Sequence, residues 1–252
     1  MKREYQFTRR DKGGYTHPCG YMRIQDSEEQ PDNAELYFYG DICGTGWDKW
    51  LAEDKAPQDV ADFLHSLDTK RRVDVYVNSG GGDVFGGMAI YNILSRYQGE
   101  TVAHIDGIAA SIAGIIPFAC DKVVAKSSAQ IMLHKPWSVC VGNADDMKKC
   151  IESLNTCENS IIDIYTVHAA NGTTAEKIKA MIDRETWLTC GEAQQYFNIE
   201  IEQGEASKAC VSHCYSHYSH TPESLSEGRT EPKNGTAERK RKLQLELDCL
   251  SC

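Results

Sequence analysis

The chain has no apolar run of the roughly 18 residues that a membrane-crossing helix requires. The longest candidate, Ile108 to Cys120, is too short and is interrupted by Ser111, Gly114 and Pro117. Its opening, MKREYQFTRRDKGG, contains no apolar stretch, so no export leader is expected. Basic charge is in short supply as well. Lys plus Arg number 27 against 37 Asp plus Glu, a formal charge of −10 at pH 7, which argues against a nucleic-acid grip as the main task. The deficit lies in the body, with 20 basic against 29 acidic residues before Glu202; from Glu202 onward the counts are 7 and 8. A disulfide framework is not expected, since the eleven cysteines are odd in number and scattered. In a protein that is not exported they are expected to be free thiols packed as small hydrophobes, in a cytoplasmic setting. No internal repeat occurs. Hydrophobic residues at 41% and charged residues at 25% are what a globular domain carries, so most of these 252 residues can bury a core.

Composition shifts twice and divides the chain into three expected stretches. Residues 1–34 form a polar, turn-rich N-terminal segment, expected to be partly ordered. Residues 35–201 form the domain. Residues 202–252 form an extension in which TPESLSEGRTEPKNG (221–235) reads as a flexible linker. Within the domain, LYFYGDI (36–42), VDVYVN (73–78), TVAHID (101–106), KVVA (122–125) and QIML (130–133) read as strands. Helical spacing follows Pro57 through Val60, Phe63, Leu64 and Leu67. It recurs around Met88 to Ser95, in a small-residue helix from about Ala110, and in a long helix over about 143–170, with shorter helices near 174–182 and 189–197. In the long helix Met147, Ile151, Leu154, Ile161 and Ile164 are the expected buried positions, packed either on another molecule or on the core. Strands alternating with helices at this pitch predict an α/β domain with a largely parallel sheet.

Four features carry chemistry, and each has a plainer reading beside it. Ser111, in DGIAASIAG, directly follows a strand at the expected opening of a helix. There a hydroxyl meets unpaired N–H groups suited to a developing oxyanion, or simply serves as a small capping or packing residue. His134, in IMLHKPW, stands at a strand end before Lys135-Pro136, placed to act as a general base or to be an ordinary strand-end histidine. NSGGGDVFGG (78–87) brings backbone N–H groups close to a ligand, but lacks the lysine-serine/threonine pair of a phosphate loop and the dinucleotide glycine register. That leaves a backbone oxyanion or peptide site, or a tight βα turn. In DRETW (183–187), Asp183 or Glu185 could orient a histidine, although acids at helix ends are mostly solvated surface.

Taken in order, strand–NSGGG–helix–Tyr91, then GIAASIAG, MLHKP and ETWLTCGEA, the chain resembles the Clp protease proteolytic subunit family of serine peptidases, and within it the tailed-phage head maturation branch. The resemblance covers about residues 35–201. It implies an α/β fold of the ClpP/crotonase-like type, a spiral of βαβ units with a largely parallel sheet and a long assembly helix. It implies Ser111 as nucleophile, His134 as general base, Glu185 as the acid where better-known members carry Asp, and the N–H groups of Gly82 and Ile112 as the oxyanion hole. Gly80, Gly81 and Asp83 become substrate-binding positions. Gly80 replaces a usual proline and is expected to loosen the loop; Asp83 replaces an apolar residue and is expected to favour basic or polar substrate side chains. Asp183 is the runner-up for the acid.

The resemblance further implies a homo-oligomeric ring, no cofactor and no metal, and a protein substrate that in the phage branch is a scaffold or capsid precursor, in the host cytoplasm or within the prohead. The chain carries no nucleotide-binding motif, so any unfoldase would be a separate chain. Two competing readings are a crotonase-like acyl-CoA enzyme on a related scaffold and a non-catalytic ring-forming assembly factor. In the extension, Cys210, His213, Cys214 and His217 fall on one helical face, a spacing compatible with zinc, although an interaction helix or solvated tail is the reading preferred. Leu243, Leu247 and Leu250 line one side of a short terminal helix that reads either as a docking peptide for a neighbouring subunit or capsid component or as an unstructured polar end, while Cys249 and Cys252 lack the context of a redox motif.

Overall fold

The computed structural model describes residues 33–46, 55–67, 72–204, 206, 207, 212, 214–222 and 225, together with the backbone of 3–10 and 16–24. Two compact units divide the chain, Met1–His220 and Thr221–Cys252. In the second the described residues are Thr221, Pro222 and Leu225, with the Leu225 amide bonded to the Pro222 carbonyl. The expected terminal helix with Leu243, Leu247 and Leu250, as well as Cys210 and His213, lies outside the described residues.

In the first unit the chain runs β1 (Arg3–Arg10), β2 (Thr16–Ile24), β3 (Asn33–Phe38), α1 (Pro57–His65), β4 (Arg72–Ser79), α2 (Val84–Ser95) and β5 (Thr101–Ala110). After two 3-10 turns, Ser111–Ile115 and Pro117–Ala119, come β6 (Lys122–Lys126), β7 (Gln130–Leu133), α3 (Ala144–Val167), α4 (Ala175–Asp183), β8 (Thr186–Thr189), α5 (Cys190–Ala193) and β9 (Glu200–Glu202). The sheet order is β1-β2-β3-β4-β5-β6-β9, with β7 joined to β5 and to β8. All pairings from β3 to β9 along that path are parallel, as is β5 with β7; β1/β2, β2/β3 and β7/β8 are antiparallel. The fold is thus α/β with a mostly parallel mixed sheet, as expected.

Local chemistry accounts for the elements. The β-branched run of β4 is buried at Val73, Val75 and Val77, as suits a strand covered on both faces. Pro57 opens α1, Asp59 accepts from the Ala56 amide at 2.8 Å, and Val60 and Phe63 face the core. Asp83 caps α2 by accepting from the Gly86 amide at 2.6 Å, and Asn143 caps α3. Phe118, Tyr165 and Phe197 meet with ring centroids 5.3–5.7 Å apart and join α3 to the turns after β5.

Strand β5 carries two branches. Its first half, Val102–Ile105, pairs with β6, and its last residues, Ile108–Ala110, pair with β7. The change of partner falls at Gly107, where a Cβ would lie 2.7 Å from Asn78 Oδ1, and beside the register shift between Val77 and Ser79. The β7/β8 pair therefore leaves the main sheet at the end of β5.

Several expectations need correction. The small-residue segment after Ala110 is two 3-10 turns rather than an α-helix, since Pro117 has no amide to continue the ladder. In α3 the residues buried within the chain are Cys157, Glu158, Ile161, Ile162 and Tyr165, whereas Met147 and Ile151 are exposed on it, because only the second half of this helix reaches the core; for those two the core-packing alternative falls, and contact with another subunit does not. Glu158 tolerates burial because Lys179 reaches it at 2.5 Å. The β1/β2 hairpin and the short strands β8 and β9 were not anticipated, and the first core strand ends at Phe38 rather than running to Ile42.

Gly87 of α2 lets the Ser111–Ile115 turn pack directly on the helix; a Cβ there would fall under 3.0 Å from Ile112 Cγ1. Gly87→Ala should therefore lower stability by about 1–3 kcal/mol through overpacking, read as a lower urea midpoint. An unchanged midpoint would mean that the turn is not held this tightly.

Candidate active site

The branching of β5 determines what meets at its end. Ala110 pairs with Met132 of β7, and Leu133 of β7 pairs with Thr186 of β8. One residue beyond these pairings stand Ser111, His134 and Glu185, so the register of two short strands brings together residues widely separated in sequence. Ser111 Oγ lies 2.6 Å from His134 Nε2. Ser111 has φ 55° and Glu185 φ 50°, left-handed values that cost a non-glycine residue about 1 kcal/mol or more and persist only where the surrounding structure enforces them. At Ser111 this conformation projects the side chain from a sharp strand-to-turn corner.

The glycine loop approaches from the other side. The Ile42 amide donates to the Gly81 carbonyl at 2.7 Å and the Asp83 amide to the Ile42 carbonyl at 2.8 Å. In this parallel bridge the intervening Gly82 N–H points away from Ile42. Gly82, with φ 145°, has no room for a Cβ, which would land on the Ile42 carbonyl. Gly81, with φ 106°, is equally confined: a Cβ there would lie 2.8 Å from that of Ser111. Ile112 is buried at the second position of its 3-10 turn, where an amide has no partner within the turn. Asp83 borders the cleft while its carboxylate caps α2.

Glu185 and Asp183 have different partners. Glu185 accepts from the Ser219 amide at 2.7 Å and the His220 amide at 2.6 Å, with Trp187 Nε1 at 3.3 Å. Among the described residues no hydrogen bond joins Glu185 to His134; the carboxylate acts on the ring through its charge. Asp183 instead pairs with Lys135 at 2.8 Å and Lys179 at 3.1 Å, and the hydrogen bonds from these two ammonium groups hold its carboxyl below the usual range. It belongs to an ion-pair network with Glu158 rather than to the Ser111 cluster.

Burial pulls the His134 imidazole down to about 4, partly offset by the Glu185 charge. The ring is therefore neutral at pH 7, with Nε2 able to accept the Ser111 proton. Burial alone would raise the Glu185 carboxyl, but the Ser219 and His220 amides outweigh it and hold the group below its ordinary value.

The cleft in front of this pair has a volume of about 350 Å³ and is bordered by Gly82, Phe85, Ser111, His134, Trp137 and Tyr218 among others. Tyr218 went unrecognised in the sequence reading, as did Trp187 and Ser212. The signal in the sequence is the tyrosine pair of CYSHYSH (214–220), two aromatic residues in an otherwise polar extension. Of that set, Cys214 and His217 lie in a 3-10 turn, Cys214–His217, and the His217 ring packs on Trp137 at 4.3 Å. Among the described residues no group of three or more His, Cys, Asp or Glu side chains could hold a metal ion, and no helix is long and apolar enough to cross a membrane.

The His134 shift links pH to stability. Between about 4 and the ordinary 6.5 the unfolded chain binds a proton at this position that the folded chain does not, so stability falls as pH is lowered through that window. The cost is on the order of 3 kcal/mol by pH 4. Urea midpoints of wild type and His134→Gln should diverge between pH 7 and pH 4.5, with wild type losing more; parallel losses would contradict a half-buried, neutral ring.

The sequence model of the Clp protease family matches residues 51–200. The ATP-dependent Clp protease proteolytic subunit of Bacteroides fragilis is 29% identical over 140 residues, covering 55% of this chain and 67% of that protein. Proteolytic subunit 3 of Rhodococcus jostii is 32% identical over 138 residues, 53% of this chain and 66% of that protein. The subunit of Porphyromonas gingivalis is 30% identical over 141 residues, 55% of this chain and 62% of that protein. The matches thus span about two-thirds of each relative. The family model takes in β4, α2, β5, β7 and the segments carrying Ser111, His134 and Glu185, more than half of the chain in all. This chain belongs to the Clp protease family.

Proposed function

We propose that the protein is a serine endopeptidase in which Ser111 is the nucleophile, His134 the general base and Glu185 the acid. The reading rests above all on the 2.6 Å contact between Ser111 Oγ and His134 Nε2, at a strained corner facing a glycine loop. In the proposed reaction His134 Nε2 takes the hydroxyl proton as Ser111 Oγ attacks a peptide carbonyl. The Gly82 and Ile112 amides bind the oxyanion; such donors are each worth about 3 kcal/mol of transition-state stabilisation. His134 then gives the proton to the leaving amine, and an acyl-enzyme remains on Ser111. Water, deprotonated by His134, attacks the ester and regenerates the hydroxyl. Glu185, once its oxygens turn to the ring, orients the imidazole and favours its charged form. Gly80, Gly81 and Asp83 border the path of the substrate chain.

In this reading residues 35–201 form the peptidase domain, flanked by the 1–34 segment and the 202–252 extension. The motif set supports scaffold or capsid precursors of a tailed phage as substrates, cleaved in the host cytoplasm or within the prohead. A ring of identical subunits is proposed on the basis of the exposed apolar side chains Phe85, Trp137, Val139, Val141 and Ile151, three of which lie on the segment between β7 and α3. Burial of such residues between subunits removes apolar area worth roughly 25 cal/mol per Å².

Two experiments test the reading. Co-expressed with a tailed-phage capsid precursor, wild type should generate discrete fragments by mass spectrometry and Ser111→Ala none; identical fragment maps would remove Ser111 from the chemistry. In sedimentation, wild type should run as an oligomer and Ile151→Glu as smaller species, whereas a monomeric wild type would exclude the ring.

A further inference from the structure

Ser212 and residues 214–220 follow the last strand, yet they reach the glycine loop, the imidazole and the acid of the proposed active site. Tyr218 is buried; its hydroxyl donates to the Gly80 carbonyl, and its ring stands edge-on to His134, with centroids 4.8 Å apart. Trp187 flanks the same phenol at 6.0 Å. Ser212, also buried, donates to Asp41 Oδ1 at 2.5 Å. It occupies the space in front of Gly80, where a Cβ would fall under 3.0 Å from the Ser212 hydroxyl. The Ser219 and His220 amides take one oxygen each of Glu185.

We propose that Ser212 and residues 214–220 form an internal ligand of the Ser111 cleft, anchored by Tyr218, which competes with substrate and withholds Glu185 from His134 while it is docked. The proposal rests on the peptidase reading for its consequence, but not for the occupancy itself. The anchor on the Gly80 carbonyl is a phenol rather than a main-chain amide, so the segment plugs the loop through a side chain. Its second effect is electrostatic. With both Glu185 oxygens bonded to the segment's amides, the carboxylate is held without a hydrogen bond to the imidazole, and the packed phenol adds to the burial that keeps the ring neutral and weakly basic. Displacing the segment frees the loop, the cleft and the acid together. The competing ligand is thereby identified by class: a peptide presenting an aromatic side chain beside Ser111. Glycine at position 80 is what the docked segment requires, because any side chain there displaces Ser212.

The test uses the full-length chain carrying Ser111→Ala, which cannot turn over. Its affinity for a fluorescein-labelled peptide of residues 214–220, with Cys214→Ser, is measured by anisotropy. Adding Tyr218→Ala should tighten binding at least tenfold, and Tyr218→Phe, which keeps the ring and loses the bond to Gly80, should fall between. Hydrogen exchange of the 214–220 region should be slow in wild type and fast in both Tyr218→Ala and Gly80→Ala, one variant on each side of the contact. Equal affinities, or rapid exchange of the segment in wild type, would overturn the proposal, and the wild-type exchange result decides it even if a variant fails to fold. A fluorophosphonate probe, applied to wild type and to the Tyr218 and Gly80 variants with Ser111 intact, separates the two readings. Tighter peptide binding without Ser111 labelling in any variant keeps the internal ligand and removes the peptidase. Labelling of Ser111 with unchanged peptide binding does the reverse.

Discussion

The site exists because one strand serves two neighbours. Strand β5 gives its first half to β6 and its last residues to β7, so the β7/β8 pair splits from the main sheet where β5 ends. A one-residue slip in either short pairing would turn the side chains of that strand to its opposite face. His134 would then leave Ser111, and Glu185 would leave the neighbourhood of the ring. The rest of the molecule defends this register. Gly107 accommodates Asn78 where β5 changes partner, the Phe118–Tyr165–Phe197 cluster fixes α3 behind the turns, and Lys135 and Lys179 bind Asp183 and Glu158 beside the strand ends.

The electrostatics follow from the same placement. A half-buried imidazole between a carboxylate and a phenol is poor in water, and burial outweighs the nearby negative charge. A catalytic base works best with its pKa near the working pH. The observed arrangement, with Glu185 bonded to the amides of Ser219 and His220, holds His134 on the neutral side of that optimum. Base strength and access to the cleft are thus both tied to the position of one short segment after β9.

Much of this was legible in the sequence for physical reasons. Buried strands such as Arg72–Ser79 announce themselves by β-branched runs, and a glycine cluster before a helix marks a close backbone approach. Ser111 and His134 could be singled out because each follows such a strand directly. Strands β8 and β9 were hidden because four- and three-residue strands carry too little periodicity to read. Half of α3 misled because its apolar spacing does not say whether the partner is the core or another molecule. The left-handed conformations of Ser111 and Glu185 leave no mark in composition, since they are imposed by the turns around them. Tyr218 was illegible for a similar reason: its contacts with Gly80 and His134 span 138 and 84 positions along the chain, and nothing local signals them.

The central claim is that the Ser111 hydroxyl is activated by His134. Its most direct measurement is the site of covalent attachment after the protein is treated with a fluorophosphonate, located by peptide mapping in wild type and in His134→Gln. The account predicts a single adduct on Ser111 Oγ in wild type, and its loss or strong slowing in the variant. An adduct on another residue, or equal modification of Ser111 with and without the imidazole, would contradict it.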